Sequence, residues 1–343
     1  MKRNLYRAVC LFLGCLLTGY LFIHISYMHR GYTRLMGFYA LENNTIDVVF
    51  IGTSVTFSAF MPMEAWEKYG YTSYNYCTNV QFEESMRYGL REVCKTQSPK
   101  LIVIDVMPFM YQHWAGFFDD PDTFIEYNLD SMKYSPERTA LAIRINDTVD
   151  GDLGTLLNYL FDIRHNHGMT PDPMQWNNAV NDVARGYGYL KREGLSPIFM
   201  EDDGREEALG EPHESYFQEL LAEADKLEAE VLFYCSPMHF TRNELYERKN
   251  YIKRIVEEAG YTFWDFSGET EELGLDIHQD FWSVDHLDSL GAEKVTNFLA
   301  PKLDEVYDLP DHRDDPAYAS WHDDYEEWCE LKKSYNAQDL GIE

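Results

Sequence analysis

Hydrophobic positions along the chain fall into two patterns. The first is a single long apolar run, AVCLFLGCLLTGYLFIHISYM, from Ala8 to Met28. About twenty such residues suffice to cross ~30 Å of hydrocarbon as a helix. A signal peptide is the competing reading, but the run exceeds the usual ~7 to 15 residues of a signal core and no small-x-small cleavage site follows. Lys2, Arg3 and Arg7 before it favour an inside amino terminus, with the bulk of the chain outside. Residues 1–34 are therefore expected to be a membrane anchor.

The second pattern is an alternation of short β-branched or aromatic runs with longer amphipathic stretches. Asp47–Ile51 (DVVFI), Ser73–Cys77 (SYNYC), Leu101–Val106 (LIVIDV), Val231–Cys235 (VLFYC) and Thr262–Phe266 read as strands. Helices are expected around Pro62–Tyr69, Glu84–Thr96, Ser215–Glu230, Arg242–Ala259 and Leu290–Val306. Strands separated in this way predict a parallel sheet wrapped on both faces, spanning residues 35–305. The alternation is interrupted over about 110–213 by an aromatic insertion with one helical piece near Leu153–Ile163. A stretch of that length needs structure or function of its own. The tail 306–343 is acidic and aromatic and is expected to form a docked helix.

Composition changes the picture only modestly. The chain has 343 residues, 45% hydrophobic and 26% charged, which excludes a disordered or fibrous protein. Its formal charge is −30, and residues 1–34 hold five bases and no acid, so the remainder is more acidic still. Such a field repels polyanions and argues against a nucleic-acid partner, although a solvating surface explains it equally well. Of the six cysteines, Cys10 and Cys15 lie in the apolar run, and Cys77 and Cys235 sit in strand patterns as small hydrophobes. No Cys/His spacing suggests a metal, and no phosphate loop or cofactor motif is present, so neither metal nor cofactor is expected.

Ligands of such a sheet bind beyond the carboxyl ends of the strands. Three places there carry chemistry. Gly52-Thr53-Ser54 puts a serine at a helix start, either as a capping residue or as a nucleophile beside helix N–H groups. Asp285-His286 precedes the last helix, where His286 reads as a general base or as a surface histidine. Thr78, Asn79 and Gln81 follow the second strand, to cap the next helix or to donate to an oxyanion.

Taken in order, IGTSVTFSAFMP (51–62), the Asn79/Gln81 loop, LIVIDVMPF (101–109) and VDHLDSLGAEKVT (284–296) resemble the blocks of the SGNH, or GDSL-like, hydrolase superfamily. The resemblance is nearest to its membrane-anchored bacterial members, in the neighbourhood of teichoic-acid D-alanyl transfer proteins and alginate-type O-acetyltransferases. It covers roughly 46–109 and 230–305. It implies a flavodoxin-like three-layer sandwich with a central parallel sheet. It also implies acyl transfer through a covalent acyl-serine, to water or to a sugar or polyol hydroxyl. Ser54 takes the place of the nucleophile and His286 that of the base. Backbone N–H groups at Ser54 and around Thr78 take that of the oxyanion hole, with Gly52, Thr78, Asn79, Gln81 and Asp105 as the oxyanion or substrate set.

Three positions depart from the family pattern. Thr53 stands where many relatives have Asp, Ser283 stands where the family's orienting Asp is expected, and Asp105 where it has an Asn donor. Asp285 is adjacent to His286, and neighbouring side chains on a loop commonly diverge. An envelope glycan, lipid or polymer is the expected substrate, with a membrane partner to deliver acyl groups to a transferase. The alternatives are a catalytically degenerate binding or assembly factor of the same fold, and an unrelated α/β domain in which Ser54 and His286 are ordinary. Trp114, Phe117, Phe118, Phe124 and Tyr127 of the insertion read as its own small core or as a sugar or acyl contact.

Overall fold

The structure, a computed structural model, describes residues 2–28, 33–117, 122–130, 132–161, 182–191, 200–268 and 271–339. Its centre is one sheet of β1 (Val48–Gly52), β2 (Ser73–Cys77), β3 (Leu101–Asp105), β4 (Glu230–Cys235) and β5 (Thr262–Asp265). All pairs are parallel and the order is β2-β1-β3-β4-β5. This order is that of flavodoxin-like sheets, whose binding crevice opens where neighbouring connections leave in opposite directions, at β1 and β3. β1 reads VVFIG and is buried throughout, as a strand covered on both faces must be.

Period-two alternation divides the core. Val49, Ile51, Ile102, Ile104 and Phe233 face one layer, while Val48, Phe50, Leu101, Val103 and Leu232 face the other. In chain order the helices are α1 (Lys2–Met28), α2 (Thr33–Phe38), α3 (Ser54–Ala59), α4 (Pro62–Tyr69), α5 (Glu83–Val93) and α6 (Met107–Tyr111). α7 (Asp122–Asp130), α8 (Pro136–Thr148) and α9 (Leu153–Phe161) follow in the insertion. The set ends with α10 (His213–Ala224), α11 (Asn243–Glu258), α12 (Ser289–Tyr307) and α13 (Ala319–Asp339). Met86 and Leu90 of α5, Phe217 of α10 and Ile252 of α11 pack in the first layer; Phe57 of α3 and Val295, Leu299 and Leu303 of α12 pack in the second.

The insertion has a core of its own. Ile125, Leu129, Leu141, Ile145 and Tyr159 pack on Phe82 and Tyr88, beside the sheet's first layer. Of the aromatics singled out there, Trp114, Phe124 and Tyr127 are half-buried. Phe118 and the Phe117 side chain lie outside the described residues, as does the end of the helix expected to reach Ile163.

The expected transmembrane helix over 8–28 is not found: among the described residues no helix is long and apolar enough to cross a membrane. The described side chains of α1 form an unbroken run only over residues 2–19, and that run carries three charges, Lys2, Arg3 and Arg7, among its apolar residues. What α1 does present is an exposed apolar surface, including Leu11, Phe12, Leu13, Leu16 and Leu17.

The acidic tail forms the docked helix α13. Trp328 is completely buried, donates from Nε1 to Glu64 Oε1 at 3.0 Å and meets Tyr187 edge-on at 5.6 Å. Lys332 reaches the same Glu64 oxygen at 2.8 Å. Farther along, Tyr335 stacks on Tyr189 at 4.2 Å, and Asp339 Oδ2 accepts the Ser289 hydroxyl at 2.5 Å. Trp328→Ala therefore opens a large cavity and strips Glu64 of a donor. It is expected to cost about 3–5 kcal/mol, read as a lower urea midpoint by circular dichroism.

Candidate active site

Ser54 and His286 are brought together at the carboxyl edge of the sheet. β1 ends at Gly52 and α3 begins at Ser54, so the chain turns sharply. Thr53 takes the capping role, its Oγ1 accepting from Val55 N at 3.3 Å. Ser54 is thereby released from capping, and its Oγ lies 2.7 Å from His286 Nε2. The Ser54 N–H stands in the first turn, where the helix supplies no carbonyl partner.

The turn is tight enough to need glycine. A Cβ on Gly52 would sit 2.2 Å from Thr56 Oγ1 and 2.8 Å from Asp105 Cβ. Beneath it, Asp105 is fully buried and accepts the Thr56 hydroxyl at 2.7 Å and Met107 N–H at 3.0 Å. Burial pushes its carboxyl up to about 6, against those hydrogen bonds.

On the other side, His286 is carried by a compact loop between Asp280 and α12. Phe281 and Leu287 form an antiparallel bridge, Trp282 N donates to His286 O at 3.0 Å, and Asp288 N to Asp280 O at 3.0 Å. Asp288 caps α12 by accepting from Leu290 N at 2.9 Å and Gly291 N at 3.0 Å. Gly291 lets the helix approach so closely, for a Cβ there would meet Asp280 O at 2.2 Å.

The adjacent side chains Asp285 and His286, which adjacency was expected to separate, converge. Asp285 Oδ1 lies 2.8 Å from His286 Nδ1. Ser283, at the position of the expected Asp, donates to Asp285 Oδ1 at 2.6 Å, and its Oγ lies 2.9 Å from Nδ1. With acceptors on the Nδ1 side, the ring proton belongs there and Nε2 is left as the acceptor facing Ser54. Burial works to raise the Asp285 carboxyl, but hydrogen bonds from His286 and Ser283 outweigh it and hold it below the usual range.

Most of the expected oxyanion set is otherwise engaged. Gly52 O accepts from Thr78 N at 3.2 Å and the Thr78 hydroxyl goes to Tyr127 O at 2.9 Å, so both Thr78 donors point inward. Gln81 is buried in a narrow crevice lined also by Tyr76, Gly89 and Met132, with room for about one water (10 Å³). Asp105 supports the turn from below. Asn79 is half-buried in the turn after β2, and the Ser54 N–H stands at the start of α3.

Residues that the sequence did not single out complete the surroundings. Trp282, 37% exposed, sets its ring edge-on to His286 at 5.7 Å. His239 N donates to Val284 O at 2.9 Å, tying the loop after β4 to the histidine loop. Tyr111 and His113 lie 5.5 Å apart between ring centres, and the Arg242 guanidinium is 5.8 Å from the Tyr111 ring. Burial pushes the Tyr111 hydroxyl up, with the Asp285 charge adding to it. Burial brings His113 down to about 4, with Asp285 and Arg242 acting in opposite senses. Among the described residues no cluster of His, Cys, Asp and Glu could hold a metal ion.

The fold and site together define an α/β protein with a Ser-His-Asp contact chain at the carboxyl edge of a parallel sheet. No known family pattern matches the chain, and no curated protein is similar to it. Among solved structures, a gut microbial diltiazem-metabolizing enzyme aligns over 77% of this chain and 49% of its own, at 12% identity and a TM-score of 0.34. The chain thus spans about half the length of that enzyme, and so distant a likeness says nothing of activity.

The buried Asp105 yields a pH prediction. Its folded value lies above the ordinary 3.8, so the folded state loses stability as pH rises from near 4 through about 6. Asp105→Asn removes that loss. The difference in unfolding free energy, variant minus wild type, is expected to rise by about 2 kcal/mol between pH 4 and 7, measured by urea titrations at both.

Proposed function

We propose that this protein is a serine esterase or O-acyltransferase working through an acyl-serine on Ser54. The observation that carries the reading is the 2.7 Å approach of Ser54 Oγ to His286 Nε2. His286 Nε2 takes the hydroxyl proton as Oγ attacks the ester carbonyl, and the tetrahedral oxyanion forms beside the Ser54 N–H. The carbon–oxygen bond to the leaving alcohol then breaks, and the imidazolium returns its proton to that oxygen. Water or an acceptor hydroxyl attacks the acyl-serine in turn, giving its proton to Nε2; at collapse the acyl carbon–Oγ bond breaks and Nε2 passes that proton to the Ser54 oxygen. Asp285 faces the imidazolium throughout and stabilises its charge.

The SGNH-like order of the sequence blocks supports the same reading, and with it an envelope glycan, lipid or polymer as substrate. A membrane partner that supplies acyl groups belongs to the transferase version. Attachment at the cell membrane with the bulk outside is likewise our proposal, supported by the exposed leucines and Phe12 of α1 and the bases that open the chain. A second reading, a binding or assembly factor that has lost its catalysis, draws on one observation: Thr78 offers no donor to an oxyanion.

Fluorophosphonate labelling of the full chain in detergent separates the two. The enzyme reading expects one covalent adduct that Ser54→Ala abolishes; folded wild-type protein that stays unlabelled beside a reactive control would favour the binding factor. Turnover of an aryl acetate is expected to fall ~10²-fold or more in His286→Ala. Asp285→Asn alone is expected to cost less, since Ser283 Oγ remains beside Nδ1. Removing both in Asp285→Asn/Ser283→Ala should bring turnover down to the His286→Ala level.

A further inference from the structure

Around the Ser54–His286 contact the rim is uneven in charge. The chain carries −30 overall, yet Arg242 stands where the loop after β4 enters α11, and that loop is bonded to the histidine loop through His239 N and Val284 O at 2.9 Å. A second contact fixes the same loop, the His239 ring lying 5.2 Å from Phe281. The guanidinium is about half exposed and sits 5.8 Å from the Tyr111 ring. Among the described residues its ionic contact is Glu244 at 3.3 Å, itself partly exposed. Such a surface pair is worth little, so a better acceptor displaces it at small cost. Arg242 is also the N-cap of the 16-residue helix α11 and supplies no side-chain cap, so the positive end of that helix lies behind it. Beside His286, Trp282 offers a partly exposed aromatic ring.

We propose that Arg242 selects substrates that carry an oxyanion, a carboxylate or a phosphate, close to the acylated hydroxyl. This deepens the acyl-serine reading and rests on it. The planar guanidinium fork matches either group in a bidentate manner, which an ammonium does not. The acidic body of the chain repels anions at long range, so a local cation is what makes an anionic substrate acceptable at this rim. Ring stacking on Trp282 then leaves the ester free to reach Ser54 while the charge is held on the Arg242 side.

The test compares three aryl acetates with one reacting group: neutral methyl 4-acetoxybenzoate, 4-acetoxybenzoate and 4-acetoxyphenyl phosphate. In the full chain, the preference for each anionic ester over the neutral one, as kcat/KM, is expected to fall roughly tenfold or more in Arg242→Gln, mainly through KM. Arg242→Lys should restore only part of it. The carboxylate and phosphate arms show which oxyanion is preferred. A preference ratio that Arg242→Gln leaves unchanged overturns the proposal. A binding arm keeps it separate from the chemistry: calorimetric titration of 4-acetoxybenzoate and of the phosphate into Ser54→Ala, with and without Arg242→Gln. Weaker binding by roughly tenfold without the arginine supports the proposal, and equal binding overturns it. If no ester is turned over in a Ser54-dependent way, the acyl-serine reading falls and the binding arm alone decides the role of Arg242.

Discussion

The site depends on how closely the chain can pack at two glycines, against side chains at one and against backbone at the other. At Gly52 the end of β1 is pressed against Thr56 and Asp105, and at Gly291 the start of α12 is pressed against Asp280. Each closure fixes one half of the pair: the first sets where Ser54 leaves the sheet, the second where the histidine loop leaves its helix. Two residues separated by 232 positions in sequence then meet at 2.7 Å. A methyl group at either glycine would have to be accommodated by moving backbone or a buried carboxylate, and packed interiors resist such movement.

Much of the fold was legible because its signals are local. Val48–Gly52 and Leu101–Asp105 are unbroken apolar runs bounded by turn residues, and the parallel sheet follows from the helices between them. α8 was not expected, although Ser135-Pro136-Glu137 starts it in the usual way, Ser135 Oγ accepting from Arg138 N at 3.1 Å. Its weak amphipathic pattern hid it, since one face lies on α5 and another on neighbouring insertion helices. The membrane-crossing helix read from Ala8–Met28 is the expectation that the described part of α1 does not meet.

At the site, position relative to strand ends was enough to find Ser54 and His286, whereas the roles of their neighbours required three dimensions. Asp285 looked badly placed because adjacent side chains on extended backbone point apart. The Phe281–Leu287 bridge closes the loop tightly enough to bring Asp285, His286 and Ser283 into one hydrogen-bonded group. Asp105 ends β3, a position that reads in sequence as part of the oxyanion set, yet its side chain accepts the Thr56 hydroxyl beneath the turn. Arg242 belongs to the same class of position, just past β4, but a charged residue opening a charged helix carries no signal until the loop's bond to Val284 is known.

The hydrogen bond between Ser289 and Asp339 has a practical corollary. The last described turn of α13 is tied to Ser289, three residues along the chain from His286, so a reporter dye on a neighbouring side chain of that turn is anchored to the start of α12. Handles for immobilisation are better inserted at a surface turn remote from α12, such as that between α11 and β5, where the exposed Gly260 makes room.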